Sequence, residues 1–509
     1  MRKPLLSLVA VALVAAACSS GSSSSGGYVR PPDPPEHHQP TSPPRAPEPA
    51  RTPYDDTTFQ DPGSNPTTDP DEDQVSTFAM DVDTASYTIA QRFVADGNMP
   101  DPASVRVEEW VNSFDQDYPA PEEGTFAVHI DGAPTPFLSQ REILLRVGIK
   151  ARDSSDRARP DAALTFVIDT SGSMAQEDRL ELVKDSLRKL VHGLGRGDSI
   201  AVVTFGDEAR VVLQPTRASD EETILSAIDQ LEPGGSTNLE AGLRLGYDLA
   251  RETRLGDGDG IDRVILASDG VANVGLTDAD GILSRIRDDA ATGIELVSIG
   301  VGMGNYNDAL LEQLADQGDG FYAYVNDLAE ARRLFTEDLT GTIQSVALDA
   351  KVQVEFNPEV VASYRLIGYE NRAIADQDFR DPRVDAGAIG AGHSVTALYE
   401  LTLRDGFSRN DVLGTVRLRW TEPGASRESS LAQEIAADDL AARFREATST
   451  FRLDAVVAAT AAILRNEDGA RVSDLRDVVD VVREDGDLPA TDQVHDFVDL
   501  LERMADLRD

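Results

Sequence analysis

Between residues 163 and 342 the chain alternates two textures. Compact apolar runs rich in Val and Ile (ALTFVID, SIAVVTF, RVILASDG and IELVSIGVG) are separated by longer stretches with apolar positions three and four residues apart. Those stretches are RLELVKDSLRKLVHGL, DEETILSAIDQL, NLEAGLRLGYDLARE and DADGILSRIRDDA. Short, uniformly apolar runs fit strands buried on both faces, and the intervening pattern fits amphipathic helices that cover them. The segment therefore predicts an α/β unit with a doubly wound, mostly parallel sheet. ARVVLQ, directly after FGDE, predicts an antiparallel edge strand. NDALLEQLADQG, GFYAYV and DLAEARRLFTEDL predict a closing helix, strand and helix.

The flanks follow other patterns. Residues 76–150 predict a short strand, a helix from about Thr84 to Ala95 stopped by Gly97, and a second helix with Val107, Trp110, Val111 and Phe114 on one face. Two strands follow in TFAVHIDG and EILLRVGIKA. Residues 343–435 are β-rich, with KVQVEFN, VASYRLIGYE, SVTALYELTL and GTVRLRW separated by Gly, Pro and Asp loops, and they predict a sandwich-like module joined by the two strands at 125–150. Residues 436–509 predict helices over DDLAARFREATSTFRLDAVVAATAAILRN, VSDLRDVVDVVRE and TDQVHDFVDLLERMADL.

Residues 18–75 read as a tether: SSGSSSSGG is flexible and RPPDPPEHHQPTSPPRAPEPA is extended, with too little apolar surface to fold. His37 and His38 lie in it and read as solvated linker. Residues 1–17 have the layout of a secretory signal, with Arg2 and Lys3 before an apolar stretch and small residues up to Cys18, the only cysteine among 509 residues. Ala15, Ala16 and Ala17 before that cysteine resemble a bacterial lipobox, departing from it in having Ala15 where Leu or Val is usual. The resemblance implies cleavage before Cys18 and lipidation there, so the mature chain is expected to hang from a membrane; a plain signal peptide cut after an alanine is the alternative. The residue directly after Cys18 is Ser19 and not aspartate, which by resemblance to sorting signals favours the outer membrane where there are two.

Charge narrows the function. Against 47 Lys and Arg stand 90 Asp and Glu, a formal −43, which lacks the basic surface that nucleic acid requires. In an open α/β sheet, ligands sit beyond the carboxyl ends of the parallel strands. There the chain delivers Asp169, Ser171 and Ser173 from FVIDTSGSM, Thr237 from PGGSTN, and Asp269 from SDG. Short carboxylates and hydroxyls are hard oxygen ligands, suited to Mg²⁺ and less strictly to Ca²⁺ or Mn²⁺, but not to zinc. The alternative is that the serines and Asp269 merely cap helices.

Asp169-x-Ser171-x-Ser173, with Thr237 and Asp269 in that order, resembles the metal-ion-dependent adhesion site of von Willebrand factor type A domains. That resemblance implies hydroxyl ligation by Ser171, Ser173 and Thr237, direct or water-mediated action by Asp169 and Asp269, and a partner carboxylate completing the shell. The flanking DVDTASYTIAQRFV, VRVEEWVNSFDQDYPAPEEGTFAVHIDGAP and YRLIGYENRAIADQDFRDPRVDAGAIGAGHSVTALYEL resemble a bacterial lipoprotein family built around such a domain. The implied function is a membrane-anchored, extracytoplasmic, non-enzymatic binding protein.

Rival readings meet specific obstacles. A haloacid-dehalogenase-type phosphatase resembles D-x-D-x-T, but the second acid is replaced by Ser171; a serine hydrolase needs G-x-S-x-G and a histidine base. GGST lacks the lysine of a phosphate loop, and GVGMGN lacks the third glycine of a dinucleotide fingerprint. A solute-binding protein needs two similar lobes, and one is present. DVDTAS at 81–86 reads as a turn and helix cap before a second cation site, GDGDGID at 256–262 fails as a calcium loop because its twelfth position is Ser268, and Arg196-Gly197-Asp198 reads as a helix-to-strand turn.

Overall fold

In the computed structural model the described residues are 59–508, apart from 60, 62, 81–82, 140, 154–159, 254–259, 270–278, 291, 303–307, 326–343, 382–383, 385, 426, 467–473 and 486. Cys18, His37, His38, the DLAEARRLFTEDL segment and most of GDGDGID lie outside them.

The chain opens with β1 (Val75–Ala79), α1 (Ala85–Ala95), α2 (Val107–Asn112), β2 (Phe126–Ala133) and β3 (Glu142–Ala151). The α/β unit follows: β4 (Ala162–Asp169), α3 (Arg179–Gly193), β5 (Ser199–Phe205), β6 (Ala209–Arg217), α4 (Glu221–Asp229), α5 (Leu239–Thr253), β7 (Ile261–Ser268), α6 (Ala279–Ala290), β8 (Ile294–Val301), α7 (Asp308–Asp316) and β9 (Tyr322–Val325). Strands return in β10 (Ser345–Phe356), β11 (Val361–Ile367), β12 (Ala388–Gly390), β13 (Ser394–Leu403), β14 (Val412–Thr421) and β15 (Glu428–Ala436). The last helices are α8 (Ser449–Arg465), α9 (Leu475–Asp485) and α10 (Asp492–Arg508).

The six-stranded sheet has the order β6-β5-β4-β7-β8-β9. All its pairings are parallel except β5 with β6, the expected antiparallel edge. β4 is buried along its whole length because helices cover both faces. Alternation along it sends Leu164, Phe166 and Ile168 into one core with Leu180, Leu187 and Ile224, while Val167 enters the opposite core with Leu243, Tyr247 and Leu311. That second core also takes Ile89 and Phe93 of α1, so the N-terminal flank helps cover the sheet. Gly246 on α5 lets the helix approach Val167, since a Cβ there would meet a Val167 methyl at 2.3 Å.

From β4 the chain crosses to β5 on one side and later to β7 on the other. The carboxyl end of β4 is therefore the topological switch point, where diverging connections open a crevice.

The β-rich part is a two-sheet module. One sheet runs β1-β10-β14-β15 with β12 on β10, and the other runs β11-β13-β3-β2. β2 and β3 join the later strands across the α/β unit, as the alternation predicts. Their shared core includes Phe78, Val147, Val352, Phe356, Tyr399 and Trp420. β15 was not anticipated; its mostly exposed polar pattern fits an edge strand paired to β14 alone. A further core unites Trp110, Val111 and Phe114 with α8, α9 and α10.

Three expectations need correction. The tether expected to run to residue 75 ends earlier: Thr68 and Tyr364 exchange backbone N–H···O=C bonds of 2.8 and 3.0 Å, Asn65 Nδ2 donates to Gly368 C=O at 2.7 Å, and β1 already begins at Val75. The helix expected from Asp438 begins only at Ser449: Thr448 caps α8 by accepting the Phe451 N–H at 3.2 Å, and the preceding residues form short 3₁₀ turns at Ala437–Asp439 and Phe444–Glu446. DVDTAS is not a side-chain helix cap. Thr84 makes no capping bond, and buried Asp83 instead accepts the Tyr322 N–H at 3.0 Å and Arg372 Nη2 at 2.6 Å. Arg372 also donates to Asp316 of α7 at 2.9 Å, so this cluster pins the flanks to the α/β unit. The Arg196-Gly197-Asp198 turn is as expected: buried Asp198 accepts the Gly195 and Ala162 N–H groups at 2.6 and 2.8 Å.

Candidate functional site

Asp169 ends β4 and Asp269 lies one residue beyond β7, its parallel neighbour. Register alone brings the two acids to adjacent positions of the crevice. Both are almost fully buried, at 0% and 1% exposure. Asp169 uses both oxygens: Oδ1 accepts the Ser171 N–H at 2.8 Å and Oδ2 accepts Ser268 Oγ at 2.8 Å. Burial and the nearby Asp269 charge nonetheless outweigh these bonds and push its carboxyl up to about 6.

Ser171 opens a 3₁₀ turn, Gly172–Asp178, but its side chain does not cap that turn. Its hydroxyl pairs instead with Ser173 Oγ at 3.0 Å. This argues against the helix-cap reading and leaves two hydroxyls side by side next to Asp169.

Thr237 arrives on a separate loop and is buried, at 2% exposure. Three backbone bonds lock this loop: Gly234 N–H to Thr170 C=O at 2.6 Å, Gly172 N–H to Gly235 C=O at 3.0 Å, and Asn238 N–H to Gly206 C=O at 3.1 Å. Gly235 has φ +90°, which a side chain would strain, and a Cβ there would meet Asp207 Oδ2 at 2.9 Å. Asp207 is exposed and accepts the Ser236 N–H and Oγ–H, both at 2.8 Å; these bonds hold its carboxyl below the usual range.

The five predicted residues thus come to one end of the sheet, with the end of β4 and the loop after it bonded to the Thr237 loop on one side and to Ser268, beside Asp269, on the other. The pattern of the sequence brings Ser268 to this edge but not as a site residue, and it does not report Asp207 or Arg179. Ser268 orients Asp169, Asp207 braces the Thr237 loop, and Arg179 Nη1 donates to Asp269 Oδ2 at 2.9 Å, with Ser173 C=O at 3.5 Å.

The chemistry of this donor set fits a hard divalent cation, since carboxylates and hydroxyls converge without imidazole or thiolate and two buried acids repel one another. In metal-free protein the raised Asp169 carboxyl has a consequence for stability. The folded state holds this proton up to about pH 6, whereas the unfolded chain releases it near about pH 3.9. The contribution is therefore fully present below about pH 4 and is lost as pH rises to about 6, by up to about 3 kcal/mol. With a chelator present, Asp169→Asn is expected to gain stability on wild type between pH 5 and pH 7.5 in urea unfolding; a difference independent of pH would contradict this electrostatic account.

Comparison with known proteins places these features. The von Willebrand factor type A domain model matches residues 163–337, a model described as von Willebrand factor matches 53–145, and one described as "Uncharacterized protein YfbK, C-terminal" matches 341–507. A protein from Escherichia coli (strain K12) named "Uncharacterized protein YfbK" is 39% identical over 386 residues, covering 74% of this chain and 66% of that protein. "Uncharacterized protein sll0103" from Synechocystis is 26% identical over 310 residues, covering 60% of this chain and 71% of that protein. Among solved structures, "von Willebrand factor type A from Catenulispora acidiphila" is similar with a TM-score of 0.45 and 19% identity, covering 76% of this chain and 91% of that one.

Proposed function

Because this chain belongs to a bacterial family of von Willebrand factor type A domain proteins with a YfbK-type C-terminal region, we propose that it is a membrane-anchored, extracytoplasmic binding protein that engages an acidic group of a protein partner through a divalent cation. Domains of this type are typically adhesion or protein-interaction modules. Asp169, Ser171, Ser173, Thr237 and Asp269 would hold the ion, with Mg²⁺ the best match to hard oxygen ligands. The ion supplies an open coordination position for the partner's carboxylate.

The observation that carries this reading is the convergence of those oxygens at the switch point of the sheet. Charge complements it: a dication on a chain of formal charge −43 is a local positive spot, able to select a carboxylate against a repulsive background. Binding is favoured over histidine-dependent hydrolysis because, among the described residues, none of the histidines, His129, His192, His393 and His495, is on the loops that carry the five site residues.

A partner is expected to be recovered from cell envelopes in Mg²⁺ and lost when chelator replaces it, and lost equally with the Asp169→Ala, Ser171→Ala double variant in Mg²⁺. Equal recovery under all three conditions would remove the mechanism. The anchor is tested separately: a fatty-acid analogue should label wild type and not Cys18→Ala, and labelling of both would refute lipidation at that position. Among the described residues, no helix is long and apolar enough to cross a membrane.

A further inference from the structure

We infer that Arg179 is a resident cation of this site, which weakens divalent-cation binding and leaves the loaded centre with a net positive charge. The inference rests on the reading of Asp169 and Asp269 as metal ligands.

Arg179 is the first residue of α3, and its side chain and that of Asp269 are 4% and 0% exposed. Burial removes the water that would solvate its charge. Its placement is nonetheless built in. Gly302, just past β8, has φ +73°, and a Cβ there would lie 2.1 Å from Arg179 Nε and 2.5 Å from its Cδ. The end of a third strand therefore packs against the arginine stem and steers the guanidinium to the carboxyl ends of β4 and β7. There Nη1 meets Asp269 Oδ2 at 2.9 Å.

The charge count gives the consequence. Among the buried charges described, the two carboxylates when ionised and a dication sum to zero, while the third acid, Asp207, is exposed and screened by water; such a centre attracts a further anion only through local polarity. Adding the guanidinium leaves one positive charge. A partner carboxylate is then drawn to a centre with net charge, in surroundings where water screens poorly. The same charge repels the incoming metal and occupies Asp269, so the ion binds less tightly than two free carboxylates would allow. Arg179 thus trades metal affinity for anion attraction. A purely structural role, holding Asp269 in position, predicts the opposite sign, since loss of the arginine would then disorganise the site and weaken metal binding.

The test is Mn²⁺ binding to the full chain, read by electron paramagnetic resonance of the free ion. Arg179→Gln is expected to bind Mn²⁺ more tightly, by about tenfold or more. Arg179→Lys, which keeps the charge, should stay within about threefold of wild type. Metal-free Arg179→Gln should also melt below wild type, and Mn²⁺ should raise its melting temperature by more than it raises that of wild type. If the glutamine variant fails to fold, Arg179→Met retains the apolar stem against Gly302 and carries the same expectation. Unchanged or weaker Mn²⁺ binding in the neutral variant would overturn the inference. Asp169→Asn separates the two readings: if it binds Mn²⁺ as wild type does, the metal site itself is misassigned, whereas if it loses Mn²⁺ and the neutral arginine variant does not tighten, only the role of Arg179 falls.

Discussion

Replacing Asp169 and Ser171 together by alanine is expected to abolish calorimetric binding of Mg²⁺ and Mn²⁺ while the far-ultraviolet circular dichroism stays that of the folded protein. The loss should exceed about a hundredfold, because even groups that only orient metal ligands are typically worth about 10- to 100-fold in affinity. The fold should survive for a specific reason. Asp169 is a buried acid beside another acid, and its burial and the Asp269 charge together disfavour ionisation. Removing it leaves the Ser171 N–H and Ser268 hydroxyl without their acceptor, which costs about 1–3 kcal/mol, but it also removes a destabilising buried charge. Unchanged metal affinity in the double variant would show the site to be wrongly placed.

The largest effect on stability is expected far from that site, at Arg146. This residue of β3 is 4% exposed. Its guanidinium forks onto Asp131 of β2, with Nε to Oδ1 and Nη2 to Oδ2 both at 2.8 Å, and Nη1 reaches Asp454 Oδ2 of α8 at 2.8 Å and Gln116 Oε1 at 2.9 Å. Tyr118 and Phe451 pack their rings around it, with centroids at 5.3 and 5.7 Å. Arg146→Met should therefore destabilise the protein by about 3–5 kcal/mol in urea unfolding, since it leaves fully buried Asp454 without its countercharge. Arg146→Lys should recover only part of this, because a point charge cannot reproduce the fork. Arg146→Met combined with Asp454→Leu should be markedly more stable than Arg146→Met alone. A loss below about 1 kcal/mol in the single variant would mean that the network does not join the sandwich to the helical segment energetically.

The legibility of this protein divides along a physical line. Periodicity is a local signal, and it predicted β4, β5, β7, β8 and the helices between them, because a strand buried on both faces must be apolar at nearly every position. The same alternation placed β2 and β3 with the later strands. It was weaker at the margins: β15 carries the polar pattern of an exposed edge, and the residues before α8 have helix-forming composition, yet Thr448 supplies the cap that starts the helix eleven residues later than the pattern implied. DVDTAS shows the same limit. Its local chemistry offered a cap, and Asp83 is claimed instead by Arg372, 289 residues away.

For the candidate site, the residue types and their order were determined by the sequence alone. Asp169, Ser171 and Ser173 share one turn, and Thr237 and Asp269 follow at strand or helix boundaries. What only the tertiary structure decided is how these groups are balanced. The parallel register of β4 and β7 brings two acids close together in a buried crevice, where burial and the Asp269 charge raise the cost of ionising Asp169. Backbone bonds among three loops bring Thr237 to them, and Arg179, steered by Gly302, answers Asp269. None of these partners is near another in sequence, so no local pattern could report them; charge and burial at a point depend on everything folded around it.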